Sequence, residues 1–333
     1  MTSKTKGTLR EVGEFGLIDW VKRHMPINAS GLIKGIGDDA AVLIGGEIIT
    51  TDILIEKIHF DRKWQDLTRL GRKALSINLS DIAAMGGFAR CAFLNIALPP
   101  NFKWKHVESI LNGFSHAARE FGVAVAGGNT SSSPGPIIIA VTIVGNSSRP
   151  VLRSGARPGD IVFVSGTLGD AALALRLASK GMVGSGSNGV WLMSRLTDPT
   201  PRLLLGRAVG QYASAMIDIS DGLVSDLGHI CRESSVGVRI RLKDLPISEP
   251  YKFIKGRLRE KATKKFYTEA LKGGEDYELL FTVPAILREN INRIADSVPL
   301  TEIGDIIPAS EGMVIIGPDG NIPMNPEEGF RHF

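Results

Sequence analysis

Asp66-Leu-Thr-Arg-Leu-Gly-Arg-Lys-Ala-Leu-Ser-Ile-Asn-Leu-Ser-Asp81-Ile-Ala-Ala-Met-Gly-Gly87 is the stretch from which the organisation of this chain is best read. Asp66 suits an N-cap, because its carboxylate can accept an otherwise unpaired backbone N–H of the first turn. Leu70, Ala74 and Ile77 recur at helical spacing, and paired glycines suit the left-handed stop that closes a helix. The spacing predicts a helix from Asp66 to about Met85. Asp81 lies eleven residues beyond Leu70, which leaves about 20° of residual rotation at ~100° per residue. Ile77 is about 40° away on the same count, so Asp81 falls on the apolar stripe. A lone carboxylate buried there costs several kcal/mol, so it needs a partner. An N-cap or ion pair with Arg72 or Lys73 is one answer, and a bound cation is the other.

Working outward, Ala40–Ile44 and Glu47–Thr51 are short apolar runs around Gly45-Gly46, the pattern of a hairpin. A strand is expected at Cys91–Leu98, ending at Pro99-Pro100. A helix follows on Val107, Ile110, Leu111, Phe114, Ala118 and Phe121, and stops at Gly122. Val123–Ala126 and Ile137–Val144 read as strands either side of a Gly-Asn-Ser loop. Asn146–Gly159, with Pro150 and Pro158, is the best domain junction. Beyond it come a strand at Asp160–Val164, a helix at Asp170–Lys180, a flexible Gly184–Gly189 connector, and helices near Trp191 and Leu203. Strands are expected at Ala215–Ile219, Val238–Leu242, Tyr277–Val283 and Met313–Ile316, with helices at Leu223–Ser234 and Leu287–Ala295. The fold class is α/β or α+β, in two domains: residues 1–148 and 149–333.

Composition agrees. The 333 residues amount to roughly two domains at ~150 each, and 43% hydrophobic against 22% charged residues is enough to bury a core. No apolar run approaches the ~18–20 residues of a membrane span, and no signal core follows Lys4, Lys6 and Arg10, so a cytoplasmic protein is expected. Cys91 and Cys231 cannot build a disulfide framework or a four-sulfur metal site. The net charge of +4 is local: seven basic residues lie between Lys252 and Lys265 with one acid, Glu260. That window reads as a solvated segment, and no broad basic patch with interleaved aromatics argues for nucleic acid.

The chemistry is carried by acids. Asp38 and Asp39 follow Gly35-Ile-Gly and lead into a strand, and Asp52 closes the next one. Asp218-Ile-Ser220-Asp221-Gly222 follows a strand and opens a helix, where Ser220 or Asp221 could equally be an N-cap. Gly273-Gly-Glu275-Asp276-Tyr-Glu278 precedes another strand, and its glycines could mark only a turn. Acids recurring at element boundaries repel one another if they converge, so convergence requires cations. Oxygen ligands of this kind suit magnesium. A P-loop, a kinase catalytic loop, a dinucleotide fingerprint and a zinc-spaced histidine pair are all missing from the sequence. His59, seven residues after Asp52, is either a turn residue or part of the site.

Gly-Ile-Gly-Asp-Asp-Ala-Ala-Val, Thr-Thr-Asp, Asn-Leu-Ser-Asp-Ile-Ala-Ala-Met-Gly, Ile-Asp-Ile-Ser-Asp-Gly-Leu-Val-Ser-Asp-Leu and Gly-Gly-Glu-Asp-Tyr-Glu-Leu occur here in one order. In this the chain resembles the thiamine-monophosphate kinase family, from about Gly13 to the terminal Gly329–Phe333. The resemblance implies the two-domain fold shared with aminoimidazole ribonucleotide synthetase, with an N-terminal domain that forms a β-barrel homodimer and binds ATP and magnesium. It implies ATP-dependent phosphorylation of thiamine monophosphate to thiamine diphosphate. Magnesium would be held by Asp39, Asp52, Asp81, Asp218 and Asp221, helped by Thr50 and Thr51. Gly128, Asn129, Arg153 and Ser220 would meet the nucleotide, and His59, Glu275 and Phe330 the thiamine phosphate. The family usually reads Gly-Gly-Asp-Thr where this chain has Gly127-Gly-Asn129-Thr130. Asn129 at that metal position offers a carbonyl oxygen but no charge, so weaker magnesium affinity or altered ATP placement is expected. Another synthetase of the same fold, or a non-catalytic nucleotide-binding paralogue, would share the acids; only the kinase reading also uses the Gly-Gly-Glu-Asp-Tyr-Glu segment.

Overall fold

Asp66 caps its helix as its chemistry requires, accepting the Arg69 N–H at 2.9 Å, and Gly86 beyond the last turn takes φ +62°. The computed structural model describes residues 7–182, 186–260, 265–294, 298–317 and 320–325. Phe330, Gly184 and Ser185 of the expected connector, residues 261–264 of the basic window and Ala295 at the end of the expected Leu287–Ala295 helix lie outside these residues.

The first half runs α1 (Leu9–His24), β1 (Leu32–Lys34), β2 (Ala41–Leu43), β3 (Glu47–Ile55), α2 (Leu67–Ala84), β4 (Phe88–Leu98), α3 (Trp104–Glu120), β5 (Ala124–Ser132) and β6 (Ile138–Asn146). Its strands form one sheet in the order β1-β2-β3-β6-β4-β5. β2 and β3 make the expected hairpin, with Gly45 and Gly46 at φ +89° and +83°. On β6 the alternation is strict: Ile139, Val141 and Ile143 enter the core under α2 and α3, and their neighbours do not. The two helices meet at Gly71 and Gly113, where a Cβ would stand 1.9 and 1.8 Å from the facing backbone oxygens of Ile110 and Thr68. Any larger residue would push the helices apart. The other face of the sheet leaves Ile53, Phe93 and Val125 exposed, and every residue of β5 is exposed.

The second half continues β7 (Asp160–Ser165), α4 (Asp170–Ser179), α5 (Ser187–Thr197), α6 (Leu203–Gly210), β8 (Ala215–Asp218), α7 (Leu223–Ser234), β9 (Val236–Arg241), α8 (Glu249–Arg257), α9 (Thr268–Lys272), β10 (Leu279–Pro284), α10 (Arg288–Asn292), β11 (Leu300–Pro308), β12 (Met313–Gly317) and β13 (Gly320–Pro323). The seven-stranded sheet is ordered β13-β12-β9-β11-β7-β10-β8. α2 joins the halves: it lies against α6, where a Cβ on Gly206 would sit 2.2 Å from the Ala83 oxygen.

Four expectations change. The Gly-Asn-Ser loop is instead the continuation of β5 in parallel register with β4, because Asn95 and Ile96 pair Asn129 and Thr130 there. Ser187–Gly189 is the first turn of α5 and not connector. β11, unmarked in the sequence reading, is central; a register shift between Glu302 and Gly304 interrupts its alternation. Among its described residues the basic window is only partly solvated: Lys255 is buried in α8, and its ammonium bonds Glu269 at 2.6 Å as well as Glu260.

Candidate active site

Period two on β3 turns Thr50 and Asp52 inward with Ile48 and Leu54, toward α2. Thr50 donates its hydroxyl to Asp81, and the Asp52 N–H donates to the side-chain oxygen of Asn78 at 3.0 Å. Thr51 necessarily takes the opposite face. Its hydroxyl bonds the Val141 carbonyl at 3.1 Å and the Thr142 hydroxyl at 3.0 Å. The Thr51 hydroxyl is therefore turned away from the acid cluster, although the residue is among those that line the cleft.

On α2 the Asn-Leu-Ser-Asp motif does three separate jobs. Asn78 is wholly buried and steadies Asp52, Ser80 donates to Asp218 at 2.6 Å across the two halves, and Asp81 enters the cluster. The ion-pair alternative for Asp81 does not occur: Arg72 binds Glu120 and Asp198 at 2.5 and 2.7 Å, and Lys73 binds Glu275. Asp39 comes from the turn before β2. One of its oxygens accepts from the Arg153 guanidinium at 2.6 Å, and the other, Oδ2, is buried with no hydrogen-bond partner. Arg153 also gives its backbone N–H to Asp38 at 3.1 Å.

The decisive geometry is that carboxylate oxygens of Asp39, Asp81 and Asp218 all lie within 4.8 Å of one another. Burial, the largest cause, pushes these groups up, and neighbouring acids add to it at Asp52, Asp81 and Asp218. Asp52 rises to about 6, through burial followed by Glu275, Asp221 and Asp39. Asp218 rises to about 8, through burial followed by Asp39. Asp81 is held well above the usual range by burial and then by Asp52 and Asp218. Asp39 is raised too, by burial, and the Arg153 guanidinium bonded to it offsets only part of that.

The loop after β8 bears on the N-cap alternative. Neither Ser220 nor Asp221 caps α7; its N-cap is Gly222. The orphan N–H groups of Asp221 and Gly222 instead donate to Asp226 at 3.1 and 3.0 Å. Asp226 was missed as a site residue, although its signal, an acid in the first turn of a helix that follows an acidic loop, stood in the motif. Ser220 and Asp221 both line the cleft.

Against that loop lies the Gly273–Glu278 segment. A Cβ on Gly274 would sit 2.1 Å from the Ser220 oxygen, so only glycine allows the approach. The N–H groups of Glu275 and Tyr277 donate to the Ser220 and Ile219 carbonyls, each at 2.8 Å. Glu275 and Tyr277 both take left-handed backbone, at φ +71° and +50°, which costs about 1–2 kcal/mol per non-glycine residue. A cavity of about 960 Å³ takes in Asp52, Asp81, Asp218, Ser220, Asp221 and Glu275, together with His59, Trp64, Leu175, Arg176 and Tyr277. His59 combines both of its alternatives: it lines the cavity, and its Nδ1 accepts the Ile55 N–H at 2.9 Å to close a turn. Neutral His59 therefore carries its proton on Nε2.

Gly128 and Asn129 are not brought to this cavity. Both sit on exposed β5, where Asn129 accepts its neighbour's N–H, from Thr130, at 2.9 Å.

Comparison with known proteins follows the same two halves. The family model "AIR synthase related protein, N-terminal domain" matches residues 37–147, and its C-terminal counterpart matches 157–317. The thiamine-monophosphate kinase of Aquifex aeolicus (strain VF5) is 38% identical over 328 residues, covering 98% of this chain and 99% of that protein. The chain belongs to the thiamine-monophosphate kinase family. The member from Bacillus subtilis (strain 168) is 31% identical over 333 residues, covering 96% and 99% of the two chains. A solved structure, AaThiL complexed with AMPPCP and TMP, superposes with a TM-score of 0.87 at 36% identity, covering 99% of this chain and 100% of that one. Like that thiamine-monophosphate kinase, the chain has the two-domain AIR synthase-like mixed α/β fold, and among its described residues no helix is long and apolar enough to cross a membrane.

Proposed function

We propose that this cleft transfers the terminal phosphoryl group of ATP directly to the phosphate of thiamine monophosphate, giving ADP and thiamine diphosphate. The observation that carries the reading is the convergence of Asp39, Asp81 and Asp218, drawn from both halves of the chain, within 4.8 Å. The donor set fits magnesium: it is all oxygen, and Asp39 Oδ2 is a buried acceptor without a partner. Asp39, Asp52, Asp81, Asp218 and Asp221 would hold it, with the Thr50 hydroxyl fixing Asp81. Bound there, magnesium supplies charge neutralisation between two polyanions.

The acceptor needs no general base, since a phosphate monoester with a second pKa of about 6 is largely dianionic at pH 7. Catalysis then reduces to placement. Arg153 reaches nucleotide phosphates by releasing or sharing Asp39, which a cation at Asp39 would permit. Ser220 contacts the nucleotide from the second half. His59 presents Nε2–H to the acceptor, and Glu275 lines the same cavity; Phe330 belongs to this reading as a further acceptor contact. Gly128 and Asn129 would meet nucleotide or metal from β5.

The same reading divides the chain at 148/149, into an ATP- and magnesium-binding dimerisation domain and a C-terminal α/β domain. The gap between the two family matches, and the strand-free Ser147–Gly159 stretch, support it. It pairs two copies through the open face of the first sheet, closing a barrel over exposed β5, Ile53, Phe93 and Val125. Light scattering is expected to give twice the chain mass; a monomer at micromolar concentration contradicts the pairing. The reaction is placed in the cytoplasm, in keeping with two free cysteines. A coupled ADP assay tests the function itself. ADP should form with magnesium and thiamine monophosphate together and stop when either is left out; acceptor-independent ADP would point to a different ATP-using synthetase.

A further inference from the structure

We propose that Lys73 is a positioning residue for the acceptor substrate, acting from the far side of the cleft wall through Glu275. Lys73 lies on α2 and is fully buried at 0% exposure, yet the acid it binds is 24% exposed and borders the cavity. Its ammonium donates to the Leu196 carbonyl near the end of α5, at 3.0 Å, and to the Glu275 carboxylate. Three elements from both halves therefore meet on one charge.

The cost of burying an ammonium is several kcal/mol unless it is well paired. A structural lysine would be expected to spend that pairing on a buried acid, as Lys255 does with Glu269, which is 8% exposed at its side chain. Lys73 instead spends it on a side chain that faces solvent and ligand. The main chain of the Glu275 loop is already fixed by the Ser220 and Ile219 carbonyls. What those bonds leave undetermined is the direction of the carboxylate, and Lys73 sets it. Arg72, its neighbour, cannot substitute, being engaged by Glu120 and Asp198.

The pairing also has an electrostatic effect. Glu275 adds to the charge around Asp52, in a cleft that must admit a dianionic phosphate joined to a cationic thiazolium. With Lys73 in place, Glu275 can stand near the cationic ring without adding a full uncompensated negative charge beside the phosphate.

This inference rests on Glu275 facing the acceptor, and the test separates the two claims. Steady-state kinetics are measured for Lys73→Met, Glu275→Gln and the double variant. Lys73→Met is expected to raise KM for thiamine monophosphate roughly ten- to a hundredfold, the worth of a charge-assisted hydrogen bond, with KM for ATP nearly unchanged. In the Glu275→Gln background the same change should add nothing further, since Lys73 acts only through that carboxylate. Equal rises in both KM values, or losses that multiply in the double variant, overturn the proposal. No effect of Glu275→Gln overturns the placement of Glu275 and the inference with it, whereas an effect of Glu275→Gln with none from Lys73→Met overturns the inference alone. Lys73→Gln, which keeps a donor for Leu196, carries the same test if Lys73→Met does not fold.

Discussion

Buried carboxylates occur in two regions of this protein under opposite terms. Glu278 is completely buried, but Arg202 holds it at 2.5 and 2.8 Å, Arg195 at 2.7 Å and the Ser165 hydroxyl at 2.6 Å. Burial alone would raise its carboxyl; the two guanidinium groups outweigh that and keep it below the usual range. Around the cleft, Asp39, Asp81 and Asp218 bring carboxylate oxygens within 4.8 Å of one another, and Arg153 is bonded to Asp39. Burial pushes each of them up, and neighbouring acids add to it at Asp81 and Asp218. The first region is compensated within the fold and is structural. In the second, among the described residues, Arg153 bonds only one of the three acids, a shortfall that on the proposed function leaves room for a cation brought from outside.

Exchanging carboxylate for amide in each region should break the two in different ways. Asp81→Asn has the largest expected effect on chemistry: turnover falls by about three orders of magnitude or more, comparable to removing a main charge-stabilising group. Its melting temperature should hold or rise, because one of several repelling charges is gone. Glu278→Gln should do the reverse. Breaking the pairing of buried Glu278 with two partly buried arginines costs about 3–5 kcal/mol, read as a lower melting temperature, while turnover per folded molecule falls far less than in Asp81→Asn. Kinetics and thermal denaturation of the two purified variants check the exchange. An Asp81→Asn protein that is unfolded, or one that is active, would erase the distinction.

Much of this was legible in the sequence because local rules were left unopposed. Asp66 and Gly86-Gly87 bound α2 as caps do, and Leu70, Ala74 and Ile77 enter the core; α2 is buried on nearly every side, and Asp81 borders the cavity beside Ile77. Period two on β3 also holds, and applied to Thr51 it would have removed that hydroxyl from the cluster. Tertiary context hid the rest. β11 carries Glu302 and Asp305, which pair with arginines including Arg241, and its register shift disguises the alternation of a central strand. Lys255 looked solvated because its partners, Glu260 and Glu269, lie five and fourteen residues away. The pairing of Lys73 with Glu275 spans 202 residues, beyond the reach of any local pattern.

The central claim is that the converged acids exist to hold a divalent cation, and a titration with Mn²⁺, followed by its paramagnetic resonance at two pH values, tests it most directly. The sign follows from the raised acids. With Asp52 at about 6 and Asp218 at about 8, the cation-free fold binds more protons than the unfolded chain from about pH 4 up to those values, so its stability falls as pH rises through them. Protons and metal compete for the same oxygens. Binding should therefore be tight at pH 8.5, weaken by more than tenfold at pH 5.5, and be lost in Asp218→Asn. Binding that is equally weak at both pH values, or indifferent to Asp218→Asn, would contradict the account.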